Sequence, residues 1–347
     1  MDIESFLKSK SKDIDKIITK YIPKRISKEW LENFNPNYGP DVKALQLSLA
    51  NPIWNFLDRG GKRWRPALFL LLLKALGGDV KKFRDWAALI ELAHEGSIVI
   101  DDIEDNSLLR RGKPCLHRIF GTDIAINAGN FMYFLPLLIF KKQLDKKTKL
   151  AAWKIWAEEM SAIHLGQALD IQWHKTATIP NQKQYLQMVA WKTGTLARMA
   201  ARLAALFAGQ PEHIQNKIGR FAEAIGIAFQ IQDDILDIVG NRKLFGKAWG
   251  NDITEGKKTL IVIYTLKNAS QAERAKLLSI LNMHTRNKKL IGQAIGIIKK
   301  YNGVALANKV AVKLLNKAWA EIEPLLKPSQ AKETLRAFTK YLIERKW

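Results

Sequence analysis

Along most of this chain, apolar residues recur three, four or seven positions apart, the repeat that lines one face of an α-helix. In FRDWAALIELAHEGSIVIDDIED, Trp86, Leu89, Ile90, Ala93, Val99, Ile100 and Ile103 keep that spacing, where a strand would alternate by two. The same repeat predicts helices over roughly 41–57, 64–77, 122–143, 147–173, 182–209, 212–239, 256–267, 286–301 and 304–326. No run alternates as a strand does, so the class is all-α. The breaks at DRGGK (58–62), KTATIPNQ (175–182), GNRKLFGKAWGND (240–252) and LKPSQ (326–330) are short. None resembles a linker between domains, so 1–347 reads as one all-helical domain.

The greasiest windows, ALFLLLLKAL (67–76) and FMYFLPLLIF (131–140), fall short of the roughly 18 apolar residues a spanning helix needs. They read as buried helices of a soluble protein, and the charge-laden N-terminus lacks the apolar stretch of a secretory signal. With 56 Lys and Arg against 33 Asp and Glu, the chain carries a formal net charge of +23 and should attract an anion. Nucleic acid is not the expected partner, because the 11 Trp are dispersed among helices and no basic stripe is interleaved with aromatics. Phosphorylated small molecules fit better, and the same charge is compatible with weak peripheral association with an acidic membrane. The one cysteine, Cys115, excludes an internal disulfide framework and fits a cytoplasmic setting.

One acidic signature occurs twice, as DDIED at 101–105 and DDILD at 233–237. Helical spacing sets Asp101, Asp102 and Asp105 along one face, and Asp233, Asp234 and Asp237 repeat the arrangement. Like charges this close repel unless cations compensate. Hard oxygen ligands at this density suit Mg²⁺, which keeps several waters and bridges carboxylates to phosphates. A solvated acidic face is the plainer explanation of either cluster alone. Each follows an apolar run, however, which places it at the edge of the core. An EF-hand is excluded, since a loop begun at Asp102 puts Ser107 and Lys113 where Gly and Glu are required.

Two basic clusters complete the pattern. GGKRWRP (60–66) opens on a Gly pair and packs three cations into four residues, and RRGKP (110–114) lies just past the first acidic set. Guanidinium groups hold phosphate oxygens bidentately and Lys acts as a point charge. Two basic and two acidic clusters imply two phosphorylated substrates, one bound through metal and one through Arg and Lys alone.

These segments, with GQALDI (166–171), KTGTL (192–196), FQIQDDILD (229–237) and GKAWGNDITEGKKTL (246–260), resemble in order and spacing the motifs of the trans-polyprenyl diphosphate synthase family. The resemblance spans about 60–260 and implies a helical bundle around a central cavity, in a homodimeric enzyme. It implies that Asp101, Asp102, Asp105 and Asp233, with Asp234 or Asp237 in support, hold Mg²⁺ on an allylic diphosphate, three ions in all. Departure of that diphosphate leaves an allylic cation, which isopentenyl diphosphate attacks. Lys62, Arg65, His94 and Arg111 match the isopentenyl diphosphate anchors. Arg110, Lys192, Lys247 and Lys257 match the allylic diphosphate ligands, and Thr193 and Gln230 would set oxygen dipoles beside the cation. The Gly-punctuated loop 240–256 would suit a lid over the metals or, equally, a plain connector. Ile100, Asn130 and Ile261 depart from the family pattern and bear on product length rather than reaction type.

A chain growing from the metals along the helix before Asp101 would meet Ser97 and Gly96 first and Ala93 a turn deeper, all small. The expected floor therefore lies at Ile90 and Leu89, or at Phe131, Met132 and Phe134, which favours geranylgeranyl diphosphate or a somewhat longer product. The competing function is a class I terpene cyclase on the same scaffold, which needs no site for isopentenyl diphosphate.

Overall fold

A computed structural model describes residues 3–141, 144–239 and 250–344. The principal helices are α1 (Ile3–Ile18), α2 (Trp64–Ala75), α3 (Trp86–Glu104), α4 (Thr122–Phe134), α5 (Lys146–Lys175), α6 (Gln182–Val189) and α7 (Thr195–Phe207). They continue as α8 (Glu212–Val239), α9 (Leu260–Asn268), α10 (Gln271–Asn282), α11 (Lys288–Lys300), α12 (Gly303–Ile322) and α13 (Gln330–Glu344). The all-α expectation holds. The only strands among the described residues are β1 (Leu109–Arg110) and β2 (Lys113–Pro114), an antiparallel pair. Arg111 and Gly112 link them with φ of 53° and 73°, the two positive values of a type I′ hairpin turn.

α7 lies at the centre and packs against α2, α5 and α8. Its Ala197, Ala200, Ala201, Ala204 and Ala205 are fully buried, so small side chains let neighbouring helices approach closely on several sides. The buried apolar residues form one connected core from Ile3 to Phe338. α1 was legible in sequence only as compatible with helix, because lysines fill its exposed face. Its apolar positions Ile3, Leu7, Ile14 and Ile18 nonetheless bury against α2 and α3. α13 packs on α2 and α8, where Trp64 stacks on Phe229 at 5.1 Å and lies 6.3 Å from Phe338.

The predicted helix 182–209 is interrupted at Ala190–Gly194, where it widens into a π-turn. Three glycines make room for this turn. A Cβ on Gly166 of α5 would stand 2.2 Å from the Lys192 nitrogen, and one on Gly226 of α8 would stand 2.6 Å from the Gly194 Cα. The segment Thr122–Lys141 is long and apolar enough to cross a membrane by length and composition, and half of it is buried within the fold.

Candidate active site

α3, α5, α6, α8 and the π-turn surround a cavity of about 590 Å³. The π-turn projects Lys192 and Thr193 into it, and π-turns recur at functional sites because they re-aim side chains within a helix. Lys192 Nζ donates to Asp101 Oδ1 at 2.9 Å and to Asp170 Oδ2 at 2.6 Å, which links α3 to α5. Burial opposes its charge, but these carboxylates outweigh burial and raise the Lys192 ammonium above its ordinary range.

The first aspartate set ends α3 and divides there. Asp101 and Asp105 line the cavity, and Lys257 Nζ reaches Asp105 Oδ2 at 3.1 Å. Burial would raise the Asp101 carboxyl, yet Lys192, Lys257 and Arg110 hold it well below the usual range. Asp105, more weakly compensated, is pushed up by burial to about 6. Asp102 corrects the sequence expectation. It is buried off the cavity lining, accepting from Arg110 Nε at 2.8 Å and also from Nη2. Its position in the helix is one residue, about 100°, away from Asp101, so it turns to the hairpin and away from the cavity.

The second set divides differently. Asp233 lines the cavity on α8. Asp234 is buried, takes the Tyr185 hydroxyl at 2.7 Å and Gln230 Nε2 at 2.9 Å, and is pushed up by burial to about 7. The Gln230 carbonyl oxygen then accepts from Thr193 Oγ1 at 3.1 Å, so the two residues expected beside the cation are bonded to each other. Asp237 accepts from the backbone N–H groups of Asn251 and Asp252 at 3.0 and 3.1 Å, capping the short helix Asn251–Thr254.

Cations line the other wall. Lys62, Arg65, His94 and Arg111 all face the cavity, as does Arg110. Arg65 Nη1 donates to His94 Nε2 at 2.9 Å, so that nitrogen is an acceptor and the ring is neutral. Burial first, then Arg65 and Arg111, keep His94 far below its usual pKa. Arg63, the remaining cation of GGKRWRP, turns inward to Glu91 and Glu95. Lys247 and most of the expected lid lie outside the described residues.

The residues expected to set product length divide by position. Ser97 lines the cavity, but Gly96, Ala93 and Phe131 do not. Gly96 faces α4, where a Cβ would come 2.7 Å from the Gly129 carbonyl oxygen, so its lack of a side chain serves helix packing. Phe131 packs with Trp30 and Phe34, and Phe134 is exposed. The apolar lining instead includes Ile98, Ile100, Tyr133, Ile163 and Leu196.

Sequence reasoning also missed participants. Gln167 bonds Asp101 at 3.0 Å, and Asp170 holds Lys192; both lie in GQALDI, a motif that was identified without assigning them. Asp252 lines the cavity beside Asp237 from within GKAWGNDITEGKKTL. Arg59, next to the Gly pair, joins the basic wall, and Tyr185 carried no local signal at all.

A helical bundle with a cavity that sets carboxylates against cations is suited to an enzyme that handles diphosphates. A family model described as polyprenyl synthetase matches residues 46–298, and the chain belongs to that family of prenyltransferases. It is 34% identical over 291 residues to the short chain isoprenyl diphosphate synthase of Methanothermobacter thermautotrophicus, covering 84% of this chain and 88% of the relative. It is 33% identical to the geranylgeranyl diphosphate synthase of Saccharolobus solfataricus, covering 91% and 95%. Among solved structures, the geranylgeranyl pyrophosphate synthetase of Pyrococcus horikoshii Ot3 superposes with a TM-score of 0.86 at 30% identity, over 99% of this chain and 98% of that one.

Proposed function

We propose that this protein joins isopentenyl diphosphate head-to-tail to an allylic diphosphate in a Mg²⁺-dependent reaction, giving geranylgeranyl diphosphate or a somewhat longer trans-prenyl diphosphate. The observation that carries this reading is the division of one cavity into an acidic wall, Asp101, Asp105 and Asp233, and a basic wall, Lys62, Arg65, His94 and Arg111. A cyclase would have no use for the second. No group of three or more His, Cys, Asp or Glu among the described residues is arranged to hold a metal by itself. That fits Mg²⁺, which is commonly held by one or two carboxylates and completed by substrate phosphate oxygens and water. When bound, the metal supplies Lewis acidity to the leaving diphosphate. The count of three ions follows the family resemblance.

The chain's own residues do the rest. Lys192 and Lys257 stand ready to neutralise the allylic diphosphate as its C–O bond breaks. Gln230 and Thr193 present oxygen dipoles to the cation, the double bond of isopentenyl diphosphate forms the new C–C bond, and the proton it sheds passes to the departed diphosphate. The tail grows along Ser97 towards Ile98, Ile100, Tyr133, Ile163 and Leu196. Exposed apolar side chains on α4 and α5, Ile126, Phe134, Leu150, Trp153 and Leu165, support a homodimer, to be read by light scattering. A cytoplasmic setting fits the single buried thiol, and any contact with acidic lipid would be peripheral.

The test is incorporation of labelled isopentenyl diphosphate, followed by chromatography of the dephosphorylated products. Incorporation should require both an allylic diphosphate and Mg²⁺. Conversion of an allylic diphosphate alone to a cyclic hydrocarbon would overturn the reading. Ser97→Tyr should shorten the main product, whereas Gly96→Phe should destabilise the fold by about 1–3 kcal/mol through overpacking against Gly129.

A further inference from the structure

The basic wall depends on two loops that hold an arginine in the left-handed backbone region, Arg63 at φ 46° in one and Arg111 at φ 53° in the other. Beneath both lies Glu95 of α3, fully buried. Its Oε1 accepts from Arg63 Nη1 of the first loop and, at 2.8 Å, from Arg111 Nη2 of the hairpin. One carboxylate oxygen thus ties the loops together. Arg63 does not need Glu95 for charge balance, since Glu91 at 2.8 Å and Asp15 at 3.1 Å also serve it. Arg111 differs, because Glu95 is its sole acidic partner among the described residues. Its guanidinium also lies 5.1 Å from the Phe56 ring, and a Cβ on Gly61 would come 3.1 Å from Nη2. Arg59 Nη1 adds a second tie by donating to the Arg110 carbonyl at 3.3 Å.

We propose that Glu95 is a positioning residue for isopentenyl diphosphate, aiming Arg111 into the cavity and locking the 58–63 loop to the hairpin before the substrate arrives. The inference rests on the functional reading above. A long guanidinium side chain fixed in advance has less freedom to lose when it meets a phosphate, and so binds it more tightly.

The variant Glu95→Gln keeps the shape of the side chain and removes its charge. It should raise both KM and the calorimetric Kd for isopentenyl diphosphate about tenfold, the equivalent of one weakened charge-assisted hydrogen bond. The kcat at saturation and the KM of the allylic substrate should stay within about twofold of wild type. Added to Arg111→Gln, it should cost nothing further, because it acts through that arginine. Should Glu95→Gln fail to fold, Glu95→Asp, which retains the charge but shortens its reach, reads the same split between substrates. Additive losses in the double variant, or parallel loss of Tm, kcat and both KM values, would show a merely structural ion pair and overturn the inference. Wild-type protein that neither binds nor consumes isopentenyl diphosphate would overturn the functional reading and this inference with it. Wild-type activity with an unchanged Glu95→Gln would overturn the inference alone.

Discussion

The two aspartate clusters are near copies in sequence, yet the fold holds them by different means. At 101–105 the carboxylates are gripped by cations: Asp101 by Lys192, Asp102 by Arg110 and Asp105 by Lys257. At 233–237 Asp234 accepts from a phenol and an amide, and Asp237 accepts from two backbone N–H groups. The several cations around Asp101 more than offset its desolvation, whereas the lysine at Asp105 and the dipoles at Asp234 do not, so Asp101 is held low while Asp105 is pushed up to about 6 and Asp234 to about 7. A repeated motif is therefore not a repeated environment. Asp101, Asp105, Asp233, Asp234 and Asp237 all line the cavity, Asp102 is buried behind it against Arg110, and Asp234 and Asp237 also organise the groups around them.

The largest test of this division is Asp101→Asn against Asp233→Asn. On the proposed reading each should lower kcat/KM by about three orders of magnitude, since each would remove a ligand from a metal worth several kcal/mol of transition-state stabilisation. Near-normal turnover in Asp233→Asn would remove the second cluster from metal binding and break the comparison. Asp102→Asn should act more narrowly, raising the KM of the allylic diphosphate by about one to two orders of magnitude through a misplaced Arg110, with kcat largely kept. A dominant loss of Mg²⁺ affinity in that variant would return Asp102 to the metals. A smaller effect is expected of Asp234→Asn, about fivefold in kcat, the worth of a neutral hydrogen bond that orients Gln230. Its Mg²⁺ titration should superpose on that of wild type.

The smallest effect is a difference in pH dependence of the metal-free protein. Asp101, held low, contributes stability that is present above the ordinary carboxylate pKa and is lost only as acid reaches its depressed value. Asp234 works the other way. Between its ordinary 3.8 and about 7, the folded chain keeps a proton that the unfolded chain has released, so stability falls as pH rises through that window. Urea melts of Asp234→Asn should therefore gain on wild type across the window, by at most about 1.4 kcal/mol per pH unit. Parallel pH profiles would mean that Asp234 is not perturbed by its burial.

Much of this molecule was legible before any coordinates. The 3.6-residue repeat yields α3, α5, α8 and α12, because an amphipathic helix must write its buried face into local spacing. The acidic and basic clusters announce a site for diphosphates, because charge of both signs at the edge of apolar helices is costly unless something uses it. Local spacing could not reveal the partners. Nothing around Tyr185 hints that its hydroxyl meets Asp234, 49 residues on, and nothing around Glu95 marks it as the tie between Arg63 and Arg111. Gly96 could be read as a gap in a product tunnel until the approach of α4 showed it to be a helix contact. The sequence by itself determined the helices and the kinds of chemistry they carry, since both depend on neighbours within a turn or two. Which carboxylate meets lysine, which meets arginine and which caps a helix was decided only by tertiary packing. Desolvation and hydrogen bonding depend on atoms brought together from distant segments of the chain, and those terms separate otherwise identical aspartates.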